Sequence, residues 1–268
     1  MKDLKNNQLV KTSVHSNSIL RVTLNNPSQH NVLSEEMMTA IQSVLDKSAN
    51  DKLIRVIVIS AEGKTFSAGH DLKQLKKGRL NSDKGREYFR KVMLKCSKLM
   101  QSIINNPKPI IAEVAGTATA AGCQLVATCD IAIASSESQF ATPGVNIGLF
   151  CTMPGVALSR AIPKKKALDM MLTGAPIDAK EAKSLGLISR VVQKDKLKDE
   201  TYSLAHKIGN LSPAVISMGK QAFYKQIKLN IETAYEFAQD EMVKHLEHPD
   251  AKEGISAFLT KRPPNWTQ

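Results

Sequence analysis

Two small-residue turns hold the clearest chemical potential in the sequence. Phe66-Ser67-Ala68-Gly69-His70-Asp71 and Ala115-Gly116-Thr117-Ala118-Thr119-Ala120-Ala121-Gly122-Cys123-Gln124 each follow an apolar, strand-like run. Turns with so little side-chain bulk can aim two backbone N–H groups at one carbonyl oxygen, the geometry that stabilises an enolate or a tetrahedral oxyanion. The alternative is that both are only tight connections. The polar inventory around them is sparse: the second turn ends in Gln124 rather than a carboxylate, and the next turn, Thr142-Pro143-Gly144, has no acid.

The titratable groups nearby have two readings each. The His70 imidazole either faces the ligand that the turns would hold and works near neutral pH or is a structural or solvent-facing histidine. Asp71 either binds ligand or caps the helix that starts beyond Gly69. Glu113 lies on the apolar run Ile110 to Val114, where a carboxylate needs a partner, so a salt bridge is the simpler role than catalysis.

Composition narrows the ligand class. The 268 residues carry a formal net charge of +12, which favours anionic partners, either nucleic acid or a polyphosphate-bearing small molecule. Aromatics make up only 4%, without the basic-aromatic interleaving that stacks bases, so nucleic acid is not expected. The densest basic stretches, Lys73 to Arg79 and Lys164-Lys165-Lys166, read as an exposed loop and a solvated face. The four cysteines form no CxxC pair, no Cys/His cluster has zinc-ligand spacing, and Cys123 and Cys129 read as small buried hydrophobes. No apolar run is long enough for a membrane span. The first residues lack a secretory signal, and little precedes the first strand, so the expected compartment is the cytoplasm.

The elements that must position the turns are legible by period and punctuation. Val10 to Val14 and Ile19 to Leu24 read as a hairpin; Ser34 caps a helix Glu35 to Lys47; Leu53 to Ile59 is a strand covered on both faces. A polar, mobile-looking stretch, Lys73 to Lys84, leads to a helix that Asn106-Pro107 ends. Ile110 to Val114, Asp130 to Ala134 and Ile188 to Val192 follow as strands, with short helices at Ala120 to Thr128, Pro154 to Arg160, Lys164 to Leu172 and beyond Asp178. The remainder to Phe258 is helical, and on the segment Ile231 to Leu246 the residues Ala234, Phe237, Ala238, Glu241 and Met242 form a semi-apolar stripe. Strand-turn-helix repeats followed by helices define an α/β protein with a helical C-terminal extension.

The chain resembles the crotonase (enoyl-CoA hydratase/isomerase) superfamily from the first strand to Phe258. The likeness rests on Leu24-Asn25-Asn26-Pro27 with Asn31-Val32-Leu33, Phe66 to Leu72, Ala121 to Leu125, Cys129-Asp130-Ile131-Ala132, Phe140 to Pro143, and Thr173-Gly174 with Ala182 and Gly186-Leu187. The resemblance implies a spiral of β-β-α units over residues 1–210, a helical trimerisation region over 211–268, and assembly as a trimer or a dimer of trimers. It also implies an acyl-CoA thioester ligand, with coenzyme A entering as part of the substrate and no tightly bound cofactor. The family's two oxyanion-hole N–H positions fall on His70 and Ala121. Its substrate-binding positions fall on Asn26, Ser67, Ala68, His70, Asp71, Leu72, Lys73, Gly122, Gly144 and Thr152, with Phe258 and Lys261 reaching a neighbour's CoA site. Asp130 stands at a structural acceptor position. The two glutamates of the hydratase pattern match Gln124 and Gly144, and the acid of the family's isomerases falls at or near Thr152. Gln124 can orient a water but takes no proton at pH 7, so the expectation is an atypical acyl-CoA-processing enzyme or, alternatively, a non-catalytic acyl-CoA-binding or regulatory protein.

Overall fold

The computed structural model describes residues 9–16 and 18–267. The hairpin forms as β1 (Val10–His15) against β2 (Ile19–Leu24), with Val10 opposite Leu24. Helix α1 (Glu35–Ala49) starts where Ser34 Oγ accepts the Met37 N–H, and its buried side includes Met37, Met38, Ile41 and Leu45. Next come β3 (Val56–Ala61), β4 (Thr65–Ser67), α2 (Leu72–Gly78), α3 (Arg86–Asn105), β5 (Ile110–Val114), β6 (Thr117–Thr119) and α4 (Ala121–Thr128). They are followed by β7 (Ile131–Ser135), β8 (Gln139–Ala141), α5 (Thr152–Ala161), α6 (Lys164–Thr173), β9 (Ile177–Asp178), α7 (Ala179–Leu185), β10 (Arg190–Val192) and α8 (Leu197–Gly209). Helices α9 (Pro213–Gln226), α10 (Ile231–Glu247) and α11 (Pro249–Leu259) complete the chain.

Six strands form one sheet in the order β1-β2-β3-β5-β7-β10, and four form a second in the order β4-β6-β8-β9. The pairs β3/β4, β5/β6 and β7/β8 each send one strand to each sheet before the chain turns into helix, which is the β-β-α spiral. Apart from the half-buried ends of β3 and β7, every residue of β3, β5 and β7 is buried, because the sheet is covered twice. One face packs on α1, α3 and α4; the other carries Ile19, Val56, Val58, Ile111 and Ile133 against Leu197, Leu204 and Ala205, the last three from α8.

Two expectations need correction. The segments read as turns contain strands: β4 and β6 are three residues each, too short for an alternating pattern, and they exist because parallel partners satisfy their backbone. The stretch read as mobile contains α2. Asp71 Oδ1 accepts the N–H groups of Lys73 (2.8 Å) and Gln74 (3.2 Å), and at the other end Gly78 admits the Tyr88 ring, whose Cδ1 would lie 2.2 Å from a Cβ there.

Polar anchors join α9 to the sheet. Asp130 accepts from Ile110 N–H (2.7 Å), Lys220 Nζ (2.7 Å) and Tyr224 Oη (2.9 Å), and Lys220 also donates to the carbonyls of Ile103 and Lys108. Asp130 is therefore the structural acceptor expected. Glu113 is the ion-pair member expected, gripped through both oxygens by Arg21.

Candidate functional site

The first turn is held by a loop whose geometry depends on Asn31. His30 and Asn31 are consecutive left-handed residues (φ 52° and 50°). The fully buried Asn31 side chain accepts the Asn26 N–H at 2.8 Å and donates to the carbonyls of Glu62 (2.9 Å) and Thr65 (2.7 Å). Ser67 Oγ donates to the Asn31 carbonyl at 2.8 Å, Ala68 N–H to His30 at 3.0 Å, and Leu33 N–H to the Gly69 carbonyl at 2.7 Å. These bonds leave Gly69 at φ +87° and send His70 onward into the Asp71 cap.

The second turn is fixed from both sides. Ala120 N–H donates to Ala141 on β8 at 2.9 Å, and the Ala120 carbonyl accepts Gln124 N–H in the first turn of α4 at 3.0 Å. Between them Ala120 takes φ 49°, ψ −120°. A side chain tolerates that conformation at a cost of about 1–3 kcal/mol, and such strain persists only where surrounding contacts impose it.

The two turns abut. A Cβ placed on Gly69 would lie 3.0 Å from the Ala121 nitrogen, and one on Gly122 only 2.2 Å from the Ser67 carbonyl oxygen. Glycine at these points is what lets the two backbones touch. Among the described residues neither His70 N–H nor Ala121 N–H has a backbone acceptor. Two donors on touching backbone segments, one at a helix N-terminus, are an arrangement suited to an anionic or developing-anionic oxygen.

The side chains at the other candidate positions offer little acid-base capacity. Gln124 is buried, and its Oε1 lies 4.0 Å from the Cys96 thiol of α3. Gly144 is buried where a Cβ would meet the Leu149 carbonyl oxygen at 2.7 Å and Cys151 Sγ at 2.8 Å, so this loop conformation has no room for a side chain there. Thr152 is exposed in the first turn of α5, its hydroxyl donating to the Phe150 carbonyl. Burial lowers the His70 pKa below its ordinary value, with the Leu33 carbonyl opposing in part. Among the described residues the buried His70 Nδ1 and Thr142 Oγ1 have no hydrogen-bond partner. The thiols of Cys96 and Cys123 are pushed up to about 12 by burial, which suits inert hydrophobes.

The structure thus brings Ser67, Ala68, Gly69, His70, Ala121 and Gly122 together, with Asp71, Leu72 and Lys73 leading away along α2. Asp71 is spent on its cap, and Lys73 Nζ donates to Gln29 Oε1 at 3.0 Å. Asn26 shapes the supporting loop through its backbone N–H and carbonyl. Phe258 and Lys261 lie exposed at the end of α11, whose principal contacts are with α9 and α10, and a single chain does not carry them to the turns. Sequence reasoning missed two supports, the Asn31 side chain and the strained Ala120; the Asn31 signal was available in the asparagine-rich segment before the first helix.

The chain belongs to the enoyl-CoA hydratase/isomerase family, whose model matches residues 14–268, and it has the crotonase fold. It is 51% identical to the mitochondrial enoyl-CoA hydratase domain-containing protein 3 of Homo sapiens over 249 residues, covering 93% of this chain and 80% of that one. The crystal structure of human enoyl Coenzyme A hydratase domain-containing protein 3 superposes with a TM-score of 0.91 at 49% identity, covering 96% of this chain and 100% of the other. A crystal structure of an enoyl-CoA hydratase from Mycobacterium smegmatis superposes with a TM-score of 0.91 at 43% identity, covering 96% and 98%. The relatives from human, mouse and Xenopus laevis are named mitochondrial, which overturns the expected cytoplasmic placement. That expectation rested on the lack of a secretory signal and on the little that precedes the first strand, and neither reports compartment.

Proposed function

We propose that the abutting turns bind the carbonyl oxygen of an acyl-CoA thioester, with the backbone N–H groups of His70 and Ala121 as the two donors. One observation carries this reading: both donors lack backbone acceptors on segments that Gly69 and Gly122 allow to touch. Family membership supports the thioester as ligand. Attack at C3 of an unsaturated thioester, or proton removal at C2, drives negative charge onto that oxygen, and one such donor is worth roughly 3–4 kcal/mol in the transition state. Ser67, Ala68 and Gly122 then wall the thioester, while Lys73 in the first turn of α2 faces the phosphates of coenzyme A.

The same site favours retention of the thioester over rapid hydration. Gln124 orients a water without accepting its proton, Gly144 has no side chain, and Thr152 is no base at neutral pH. Positioned acid-base groups contribute ~10²–10⁴-fold each, so hydration of a short 2-enoyl-CoA should be slow by that margin. Titration with acyl-CoA and free CoA tests the hole: the thioester binds more tightly, and both weaken as salt rises. Equal affinity for the two removes the thioester contact, and fast hydration removes the reading of Gln124 and Gly144.

The assembly belongs to the same proposal. The C-terminal helices expose Phe223, Ile231, Tyr235, Met242 and Phe258, apolar surface that a threefold interface would cover, placing Phe258 and Lys261 beside a neighbouring CoA site. Light scattering then gives three or six times 29.3 kDa, and a monomer with full affinity contradicts a shared site.

A further inference from the structure

The positive charge of this protein is concentrated. Residues 72–98 hold ten lysines and arginines against two acids, a net +8 of the chain's +12. Both acids are engaged: Asp83 accepts the N–H groups of Gly85 (2.9 Å) and Glu87 (2.8 Å) at the start of α3, and Glu87 pairs with Arg90 at 3.0 Å. From α1, Glu35 takes Lys91 and lies 3.5 Å from Lys95. Among the described residues Lys73, Lys76, Lys77, Arg79, Lys84, Arg86 and Lys98 make no ion pair. One coenzyme A would engage only part of such a field.

Set among these cations are three outward leucines: Leu80 is 84% exposed, Leu94 68% and Leu72 52%. Leu94 is flanked along the exposed side of α3 by Arg90, Lys91 and Lys98, and Leu80 lies just beyond α2 after Lys76, Lys77 and Arg79. The aromatics of this region are not available for stacking bases. Tyr88 lies on Gly78, Phe89 is half-buried, and the Arg79 guanidinium sits 5.4 Å over the Phe89 ring. Exposed leucines among cations, those around Leu80 without ion pairs, match a surface with anionic headgroups above an apolar layer, where cations supply attraction and leucines insert. Nucleic acid would use the cations and leave the leucines in water.

We propose that the α2–α3 face docks on anionic phospholipid surfaces, with Lys76, Lys77, Lys84 and Arg86 contacting headgroups and Leu80 entering the acyl boundary. Docking would sit beside the helix that leads away from the thioester turns, at the surface where acyl chains partition. It does not depend on the thioester reading.

Flotation of the full chain with vesicles of phosphatidylcholine, alone or with a third of phosphatidylserine, tests this. Binding is expected only to the anionic vesicles and should fall as salt rises. The exposed-site variant K76E/K77E should weaken it about tenfold or more, and Leu80→Ser, which leaves charge unchanged, by several fold. Unchanged circular dichroism and unchanged mass in solution establish that the variants fold. Leu80→Trp supplies an independent signal, a blue shift of the new tryptophan on adding anionic vesicles, read against the parent with its single Trp266. Failure to float with anionic vesicles at low salt overturns the proposal. So does equal binding to a single-stranded RNA homopolymer and to anionic vesicles with Leu80→Ser indistinguishable from the parent, which would make the face a general polyanion patch.

Discussion

The sheets and the C-terminal helices bury themselves in different ways. In β5 all five residues are buried, and α1 alone buries six. Helix α9 has no buried residue, α10 only Ala234, and α11 only Asp250 and Ala257. The helices do not lack apolar side chains; Phe223, Ile227, Ile231, Tyr235, Met242 and Phe258 point outward. Polar anchors hold them instead: Lys220 and Tyr224 on Asp130, and Ser212 with Thr267 on Asp250. The core is over-determined by packing, whereas the C-terminal third depends on a few hydrogen-bonded points and leaves an apolar surface for something else to cover.

Substitution at one anchor tests that contrast most strongly. Lys220→Met leaves the Asp130 carboxylate buried without its cation, and breaking a buried pair in this way costs ~3–5 kcal/mol. Urea unfolding should record that loss, and hydrogen exchange should locate the first opening in α9. A loss below about 1 kcal/mol would mean that α9 is held by other contacts. Glycines then separate the regions. Gly122→Ala puts a Cβ 2.2 Å from the Ser67 carbonyl oxygen, forces the turns apart and should cost ~1–3 kcal/mol or more, with loss of thioester binding. Gly219→Ala, in mid-α9 with no atom within 4 Å of the new Cβ, should stabilise by ~0.4–1 kcal/mol. Equal effects at the two glycines would erase the distinction.

The smallest expected effect is a pH dependence at His70. Burial depresses its pKa in the folded protein below 6.5, so below that pH the unfolded chain binds more protons. The stability held by the neutral imidazole is complete above about pH 6.5 and is lost as pH falls through the folded value. Thermal unfolding from pH 7.5 down to pH 5 should decline more steeply for the parent than for His70→Gln. Parallel slopes would place the imidazole in water.

Much of this was legible in the sequence, for identifiable reasons. Ser34 before an amphipathic run, Asn106-Pro107 after one, and the apolar runs Val56 to Ile59 and Ile110 to Val114 are local signals, and the elements followed them. The strands β4, β6 and β8 were not legible, because three residues carry no alternation and their reason to exist is a partner far along the chain. Helix α2 was hidden by its lysines, although Asp71 was already recognised as a possible cap. In α10 the helical phase placed Ala234, Phe237 and Glu241 on the covered side, but Ala238 and Met242, assigned to the same stripe, are exposed. Phase identifies neighbours around a helix; it does not say how wide a contact the rest of the fold provides. At the site, His70 and Ala121 are on touching segments, while the strain at Ala120 is a product of its bonds to β8 and α4, which residue types alone do not encode.

The central claim concerns one oxygen atom, and its vibration reports on it directly. Infrared difference spectra of acyl-CoA labelled with carbon-13 at the thioester carbonyl, bound to the full chain, should show the carbonyl stretch shifted to lower frequency than in water, because two aligned donors polarise the bond. Gly69→Ala places a methyl 3.0 Å from the Ala121 nitrogen, crowding one donor, and should move the band back toward its solution value. A bound thioester whose carbonyl stretch equals that in water, and is unmoved by Gly69→Ala, would contradict the oxyanion hole.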